Sequence, residues 1–208
     1  MPVFFLGLFF VIVLGVSAQA QSLPSLDEYK NVKQGLLLPD EKVATPEVSE
    51  EEENEIQSMS IDDILKAYTQ GKYDLVVKYF MPLAKNRHPQ GEEIIGIMYR
   101  RGQGGLQKSP EQAISWLSRA AESNRPRAQH YLGIMSFMGE GVIADPVKAL
   151  MWIYIAIAHY ENGPERDRAI KDRDNIYARL SRRDKERAQE LARDWLDRRN
   201  EAYLLDVR

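Results

Sequence analysis

The chain has 208 residues, 28 Lys+Arg against 31 Asp+Glu, three His, no Cys and 44% apolar residues, for a formal net charge of −3. That composition suits an ordinary globular domain, and a body of about 150 residues buries roughly 70% of its unfolded surface, enough for a core without staples. Lack of Cys excludes disulfides, thiolate nucleophiles and Cys-based zinc or iron–sulfur sites.

Val3 to Val16 is an apolar run followed by Ala18-Gln19-Ala20, an A-x-A cleavage pattern. Such a helix rises about 21 Å, short of the ~30 Å hydrocarbon core. Residues 1–20 are therefore expected to be a signal peptide cleaved after Ala20, although Met1-Pro2 brings no Lys or Arg to its start. The expected product is exported and periplasmic, with an uncleaved inner-membrane anchor as the alternative. A lipoprotein anchor needs a Cys after the leader and is excluded.

Residues 21–59 carry Pro24, Pro39, Pro46 and the run Glu50-Glu51-Glu52-Glu53-Asn54-Glu55, and are expected to form a disordered acidic linker. Gln21 to Asp63 holds twelve acids and three Lys, net −9, whereas Ile64 to Gly163 holds twelve bases and eight acids, net +4. The plain reading is a solvated spacer; the functional one is a tail that shields a basic surface. The Glu run lacks the Asp-x-Asp-x-Asp-Gly spacing of a calcium loop.

The body repeats itself. Ile95-Gly96, Tyr99, Gly102-x-Gly104, Pro110, Ala113, Trp116 and Ala120 recur as Leu132-Gly133, Ser136, Gly139-x-Gly141, Pro146, Ala149, Trp152 and Ala156, displaced by 37 and then 36 residues. Each copy predicts two helices. Helix A runs over 90–101 and again over 126–138, closed by a Gly in the left-handed region. Helix B opens at Ser109-Pro110 or Asp145-Pro146, an N-cap followed by Pro at the first helical position. Gly96, Gly133, Ala113, Ala149, Ala120 and Ala156 predict close approach of A and B, with Trp116 and Trp152 filling the space between pairs.

One pair cannot bury its own apolar face, so neighbours must stack on it. Upstream, Ser60-Ile61-Asp62-Asp63 resembles a capping box and predicts a helix ending near Gly71, then a second over 73–86. Downstream, helices are expected over 165–180 and after Ser181, where Ala188, Leu191, Ala192, Trp195 and Leu196 form an amphipathic stripe.

These residues resemble the Sel-one-like repeat (SLR) family, an α/α relative of the tetratricopeptide repeat. The second copy matches its pattern at Ala128, Leu132, Gly133, Gly139, Gly141, Val142, Asp145, Ala149, Trp152 and Ala156. The first matches at Ile95, Gly96, Tyr99, Gly102, Gly104, Ala113, Trp116, Ala120 and Ala121. Gly91, Ser136 and one extra residue between Gly104 and Pro110 depart from it. The resemblance implies an all-α fold, an α/α solenoid (tetratricopeptide-like superhelix) of two full repeats with helical caps. It would span 60–205, with repeats at 90–125 and 126–163 and closing helices over 164–205.

The resemblance further implies a noncatalytic scaffold of the bacterial envelope that binds another protein or peptide on its concave face. The alternative is an envelope enzyme or a binder of cell-wall fragments. By analogy with helical solenoids the contact stripe would be His130, Ile134 and Phe137 in copy two and Glu93, Ile97 and Arg100 in copy one, unless these pack against a neighbouring helix. Exposed aliphatic and aromatic groups beside Arg are the composition of a binding hot spot.

No catalytic residue, metal ligand or cofactor is expected. Gly102-Gln103-Gly104-Gly105 has Gln107 where a dinucleotide loop needs Gly, and no strand precedes it. His88, His130 and His159 lack metal-ligand spacing, and Gly-x-Ser-x-Gly is absent. Nucleic acid is not an expected partner either: the thirteen bases after Gly163 are interleaved with eleven acids, net +2, rather than forming an uncompensated stripe. A membrane is expected only if the leader survives.

Overall fold

Helix boundaries in this chain are set by proline and by polar caps. Five helices open with Pro in the first turn, and Ser60, Ser109, Asp145 and Ser181 each accept a hydrogen bond from a backbone N–H three residues on. The computed structural model describes residues 49–199, which belong to one unit spanning 38–208. The leader, the cleavage point, residues 21–48 of the linker and the end of the closing segment lie outside the described residues.

Nine α-helices and no strand occur among the described residues. They are α1 (Glu50–Ser58), α2 (Ile61–Thr69), α3 (Tyr73–Lys85), α4 (Pro89–Arg101), α5 (Pro110–Glu122), α6 (Pro126–Met138), α7 (Pro146–His159), α8 (Pro164–Tyr177) and α9 (Arg182–Asp197). From α2 to α8 each helix packs on the next in chain order, which builds the expected solenoid. The A helices are α4 and α6 with α2 and α8 at the flanks; the B helices are α3, α5 and α7. The last helix, α9, packs back on α7, where Trp195 meets Trp152 edge to face at 5.9 Å.

One expectation is corrected. The linker does not stay irregular to residue 59, because Glu50–Ser58 is helical, packs on α3 and buries Ile56. The Glu run opens this helix, where the macrodipole favours negative charge, and packing on α3 with Ile56 buried supplies the anchor.

Glycines set the spacing within and between pairs. A Cβ on Gly96 would lie 2.7 Å from Leu117 Cγ, and one on Gly133 2.6 Å from Ile153 Cδ1, so A and B touch where each copy carries Gly. The second glycine of each turn reaches the preceding unit: a Cβ on Gly104 would lie 2.6 Å from the Tyr73 carbonyl oxygen, and one on Gly141 2.7 Å from the Pro110 carbonyl carbon. Both have positive φ, +68° and +72°. Tyr73 and Pro110 both start a B helix, so α2 and α3 dock on copy one as copy one docks on copy two.

The core is continuous along the stack. Ile64, Val77, Phe80, Ile95, Met98, Leu117, Met135, Trp152 and Leu196 belong to one buried cluster, and Leu150, Ile153, Ile176 and Ala188 form a second under α8 and α9. Two polar side chains are buried at equivalent places, Glu92 in α4 and Gln129 in α6. Glu92 accepts from Arg119 Nε at 2.7 Å, and the same guanidinium donates to the Ala84 carbonyl at 3.2 Å. Gln129 donates from Nε2 to the Ala121 carbonyl at 3.0 Å, and its Oε1 accepts from His159 Nδ1–H at 2.9 Å. Ala84 and Ala121 occupy the same place in successive B helices; each carbonyl already accepts a backbone N–H, from Arg87 at 3.0 Å and Asn124 at 3.1 Å, and the side chain adds a second donor at its other lone pair.

Candidate functional site

The first helices of successive pairs share a groove of about 310 Å³. It takes Tyr68 from α2, Arg100 and Arg101 from α4, Arg127, His130, Tyr131 and Ile134 from α6, and Glu165, Arg168 and Asp172 from α8, with Tyr160 closing it after α7. The periodicity explains the convergence: 127, 131, 134 and 165, 168, 172 each run along one helix face.

Of the six residues expected to make contact, three meet here. Arg100 lines the groove, donating from Nε and a terminal nitrogen to both Glu140 oxygens at 2.7 and 3.0 Å. His130 places Nε2 2.9 Å from Asp172 Oδ2, and Ile134 supplies apolar wall. The other three do not line it, which corrects the stripe. Ile97 has no exposed surface and belongs to the core, and Glu93 is 2% exposed, held by Arg125 Nε at 2.9 Å and Arg127 Nε at 3.4 Å. Phe137 packs on the second core cluster under the Arg179 guanidinium, 5.3 Å from the ring centre. Helical side chains lean toward the N-terminus, so the true stripe on α6 lies about one turn earlier than 130–134–137.

The groove's electrostatics rest on how each cation is held. Arg100 is neutralised by Glu140, and Arg127 shares Glu93 with Arg125. Arg101 is different: its two terminal nitrogens donate to Tyr68 Oη at 3.0 Å and Tyr131 Oη at 3.1 Å. Burial acts to lower its pKa, but the Tyr131 and Tyr68 contacts outweigh burial and hold it above the ordinary value. Burial pulls the His130 pKa down, with the Asp172 contact opposing and Arg168 reinforcing. The neutral ring therefore donates its Nε2–H to Asp172, tying α6 to α8. Burial also raises the Tyr160 pKa, aided by Glu93, so that phenol stays protonated and stacks edge to face with His130 at 6.1 Å.

A wider cleft of about 860 Å³ lies between α7, α8 and α9, lined by Tyr154, Ile157, Tyr160, Tyr177 and Gln189 among others. Its polar groups largely satisfy one another: Gln189 donates to Tyr154 Oη at 3.3 Å, and Arg173 pairs with Asp174 at 2.7 Å. Among the described residues no group of three or more His, Asp or Glu is arranged to hold a metal ion, and no helix is long and apolar enough to cross a membrane.

The Sel1 repeat family model matches residues 91–124 and 126–167. Among solved structures the chain is similar to an SLR-fold protective antigen of uropathogenic Escherichia coli, at 19% identity and a TM-score of 0.59 over 71% of this chain and 32% of that one. It is also similar to a Sel1 repeat protein from Oxalobacter formigenes, at 26% identity and a TM-score of 0.48, covering 66% of this chain and 56% of that one. The chain thus spans about a third and just over half of their respective lengths. No curated protein matches it. Likeness to the E. coli antigen shows the fold, an all-α SLR solenoid, and Sel1 repeats generally mediate protein–protein interaction. Residues 91–124 and 126–167 are thus two Sel1 repeats, stacked one on the other inside that fold.

Proposed function

We propose that this protein is an exported, noncatalytic scaffold of the bacterial cell envelope that holds a partner protein or peptide in the groove of α2, α4, α6 and α8. The observation that carries the reading is the groove itself, where four successive helices bring cations and tyrosines around Ile134. Arg and Tyr beside an aliphatic wall are what binding hot spots are made of. No Ser or Thr lines it among the described residues, and its one imidazole is engaged with Asp172. Export is supported by the apolar run Val3 to Val16 and the Ala18-Gln19-Ala20 pattern.

The test is crosslinking capture from the cell envelope with two baits, the wild-type chain and the double variant Arg101→Glu, Arg168→Glu. Both side chains are on exposed residues, so the variant should keep its helical content. A discrete protein captured by the wild type alone supports the scaffold; identical captures count against the groove. The mass of the mature chain, expected to begin at Gln21, tests export on its own. A second reading, a binder of cell-wall fragments, draws on the cleft of Tyr154, Tyr160 and Tyr177 with Gln189; glycan fragments that shift the fluorescence of these tyrosines would favour it.

A further inference from the structure

Arg101 is held without being neutralised. A guanidinium has five N–H donors and no acceptor; here two donors go to phenol oxygens, from α2 on one side and α6 on the other. Neutral hydroxyls fix the position and plane of the group, and no carboxylate among the described residues pairs with it. The neighbouring cations are treated otherwise, since Arg100 has both oxygens of Glu140 and Arg127 has Glu93. Arg168, on the opposite wall, is exposed and stands between Glu165 and Asp172 on its own helix face. A surface that needed Arg101 only for stability would pair it with a carboxylate; this one seats it on two phenols and leaves its charge open to the groove.

The size of the space limits the occupant further. About 310 Å³ is at the small end of ligand sites. It takes a residue or two of an extended chain, not a helix about 10 Å across. Ile134, with Tyr131 beside it, offers that chain an apolar seat next to the charge.

We infer that the occupant of this groove is an extended acidic peptide segment of a partner protein, whose carboxylate is received by Arg101 while an adjacent apolar side chain rests on Ile134. The inference rests on the proposed scaffold role and names the chemistry its partner must have. Arg101 supplies a charge-assisted, planar contact that a carboxylate can accept twice. Tyr68 and Tyr131 act as positioning residues, setting the guanidinium before the peptide arrives so that little ordering is left for the binding step.

The experiment uses the purified full chain and two fluorescein-labelled peptides read by anisotropy. One is Gly-Leu-Asp-Glu-Leu-Glu-Asp with a free C-terminus; the other has every acid replaced by its amide and an amidated end. The acidic probe is expected to bind, and the amide probe to bind about tenfold more weakly or worse. Arg101→Met should cost the acidic probe about tenfold and leave the amide probe unchanged. Tyr68→Phe with Tyr131→Phe should weaken the acidic probe less, with part of the loss restored by low salt. A second full chain, with Asp27, Glu28, Asp40, Glu41 and Glu47 changed to their amides, removes competition from the chain's own acidic segment.

Failure of the acidic probe to bind either chain overturns the inference, as do equal affinities for the two probes or an Arg101→Met variant that binds like wild type. These failures are separate from that of the scaffold reading. A partner lost on Arg101→Glu, Arg168→Glu capture while the acidic probe shows no preference leaves the groove a docking site and removes only its acidic specificity.

Discussion

The two repeats solve one problem with different chemistry. In both, a polar group on the A helix lies buried and a side chain gives a second hydrogen bond to a carbonyl near the end of the preceding B helix, Ala84 for copy one and Ala121 for copy two. Copy one uses a carboxylate and a guanidinium, Glu92 and Arg119, whereas copy two uses the neutral amide of Gln129 with His159. What the repeat demands is a donor at that carbonyl, not a residue type. The ionic version also carries the penalty of burying charge, which makes it the more fragile when either partner is lost.

Cutting the pair in copy one should therefore produce the largest change. Glu92→Ala leaves Arg119, whose side chain is 15% exposed, without its counter-charge, and should cost about 3–5 kcal/mol. Gln129→Ala should cost about 1–3 kcal/mol, the value of an unsatisfied buried group. Denaturant melts of the two variants decide the matter: equal losses would break the distinction between ionic and neutral linkage. Next comes Ile134→Arg, expected to lower stability by about 1–3 kcal/mol through its contact with the second core cluster. Loss of helical signal there, with none in Arg101→Glu, would separate wall packing from groove charge.

A smaller effect distinguishes the B-helix ends. Arg87 and Asn124, 37 residues apart, both have positive φ, 66° and 57°, and Asn tolerates that region better than Arg. Arg87→Gly is expected to stabilise by about 0.5–1 kcal/mol, and Asn124→Gly to change the thermal midpoint little.

The smallest change is a drift with pH that belongs to copy two alone, since copy one has Glu93 where copy two has His130. Burial holds the folded ring's pKa below the ordinary imidazole value of about 6.5. As pH falls through 6.5 the unfolded chain takes up a proton that the native ring refuses, so stability drops. Melting between about pH 7.5 and about pH 5.5 should show a shallower fall in His130→Gln than in wild type.

The architecture was largely legible because each boundary has a local cause. Ser60, Ser109, Asp145 and Ser181 cap the helices they precede, and Gly102 and Gly139 close α4 and α6 in the left-handed region as their spacing implies. What escaped has no such punctuation. Helix α1 arises where acidic residues discourage a core assignment and its packing on α3 rewards order.

The groove was half legible. Arg100, His130 and Ile134 were placed on the right helices, but periodicity alone cannot say which face a neighbour covers, and Ile97 is covered. Arg101 was missed because it follows Arg100 directly and its partners come from α2 and α6, a tertiary convergence with no sequence spacing of its own. The 127–131–134 and 165–168–172 rows are the signal that would have found it.

The glycine seam between units makes the solenoid extensible. Gly104 rests on the first turn of α3, against the Tyr73 carbonyl and the Val77 side chain, and Gly141 on the first turn of α5, where what it meets is backbone that any sequence supplies. An in-frame duplication of residues 90–125 would therefore carry both halves of the joint with it. Such a chain would gain one more A helix along the groove while its two ends kept the caps they already have. Groove length can thus change by whole steps, through copying alone, before a single contact residue is altered.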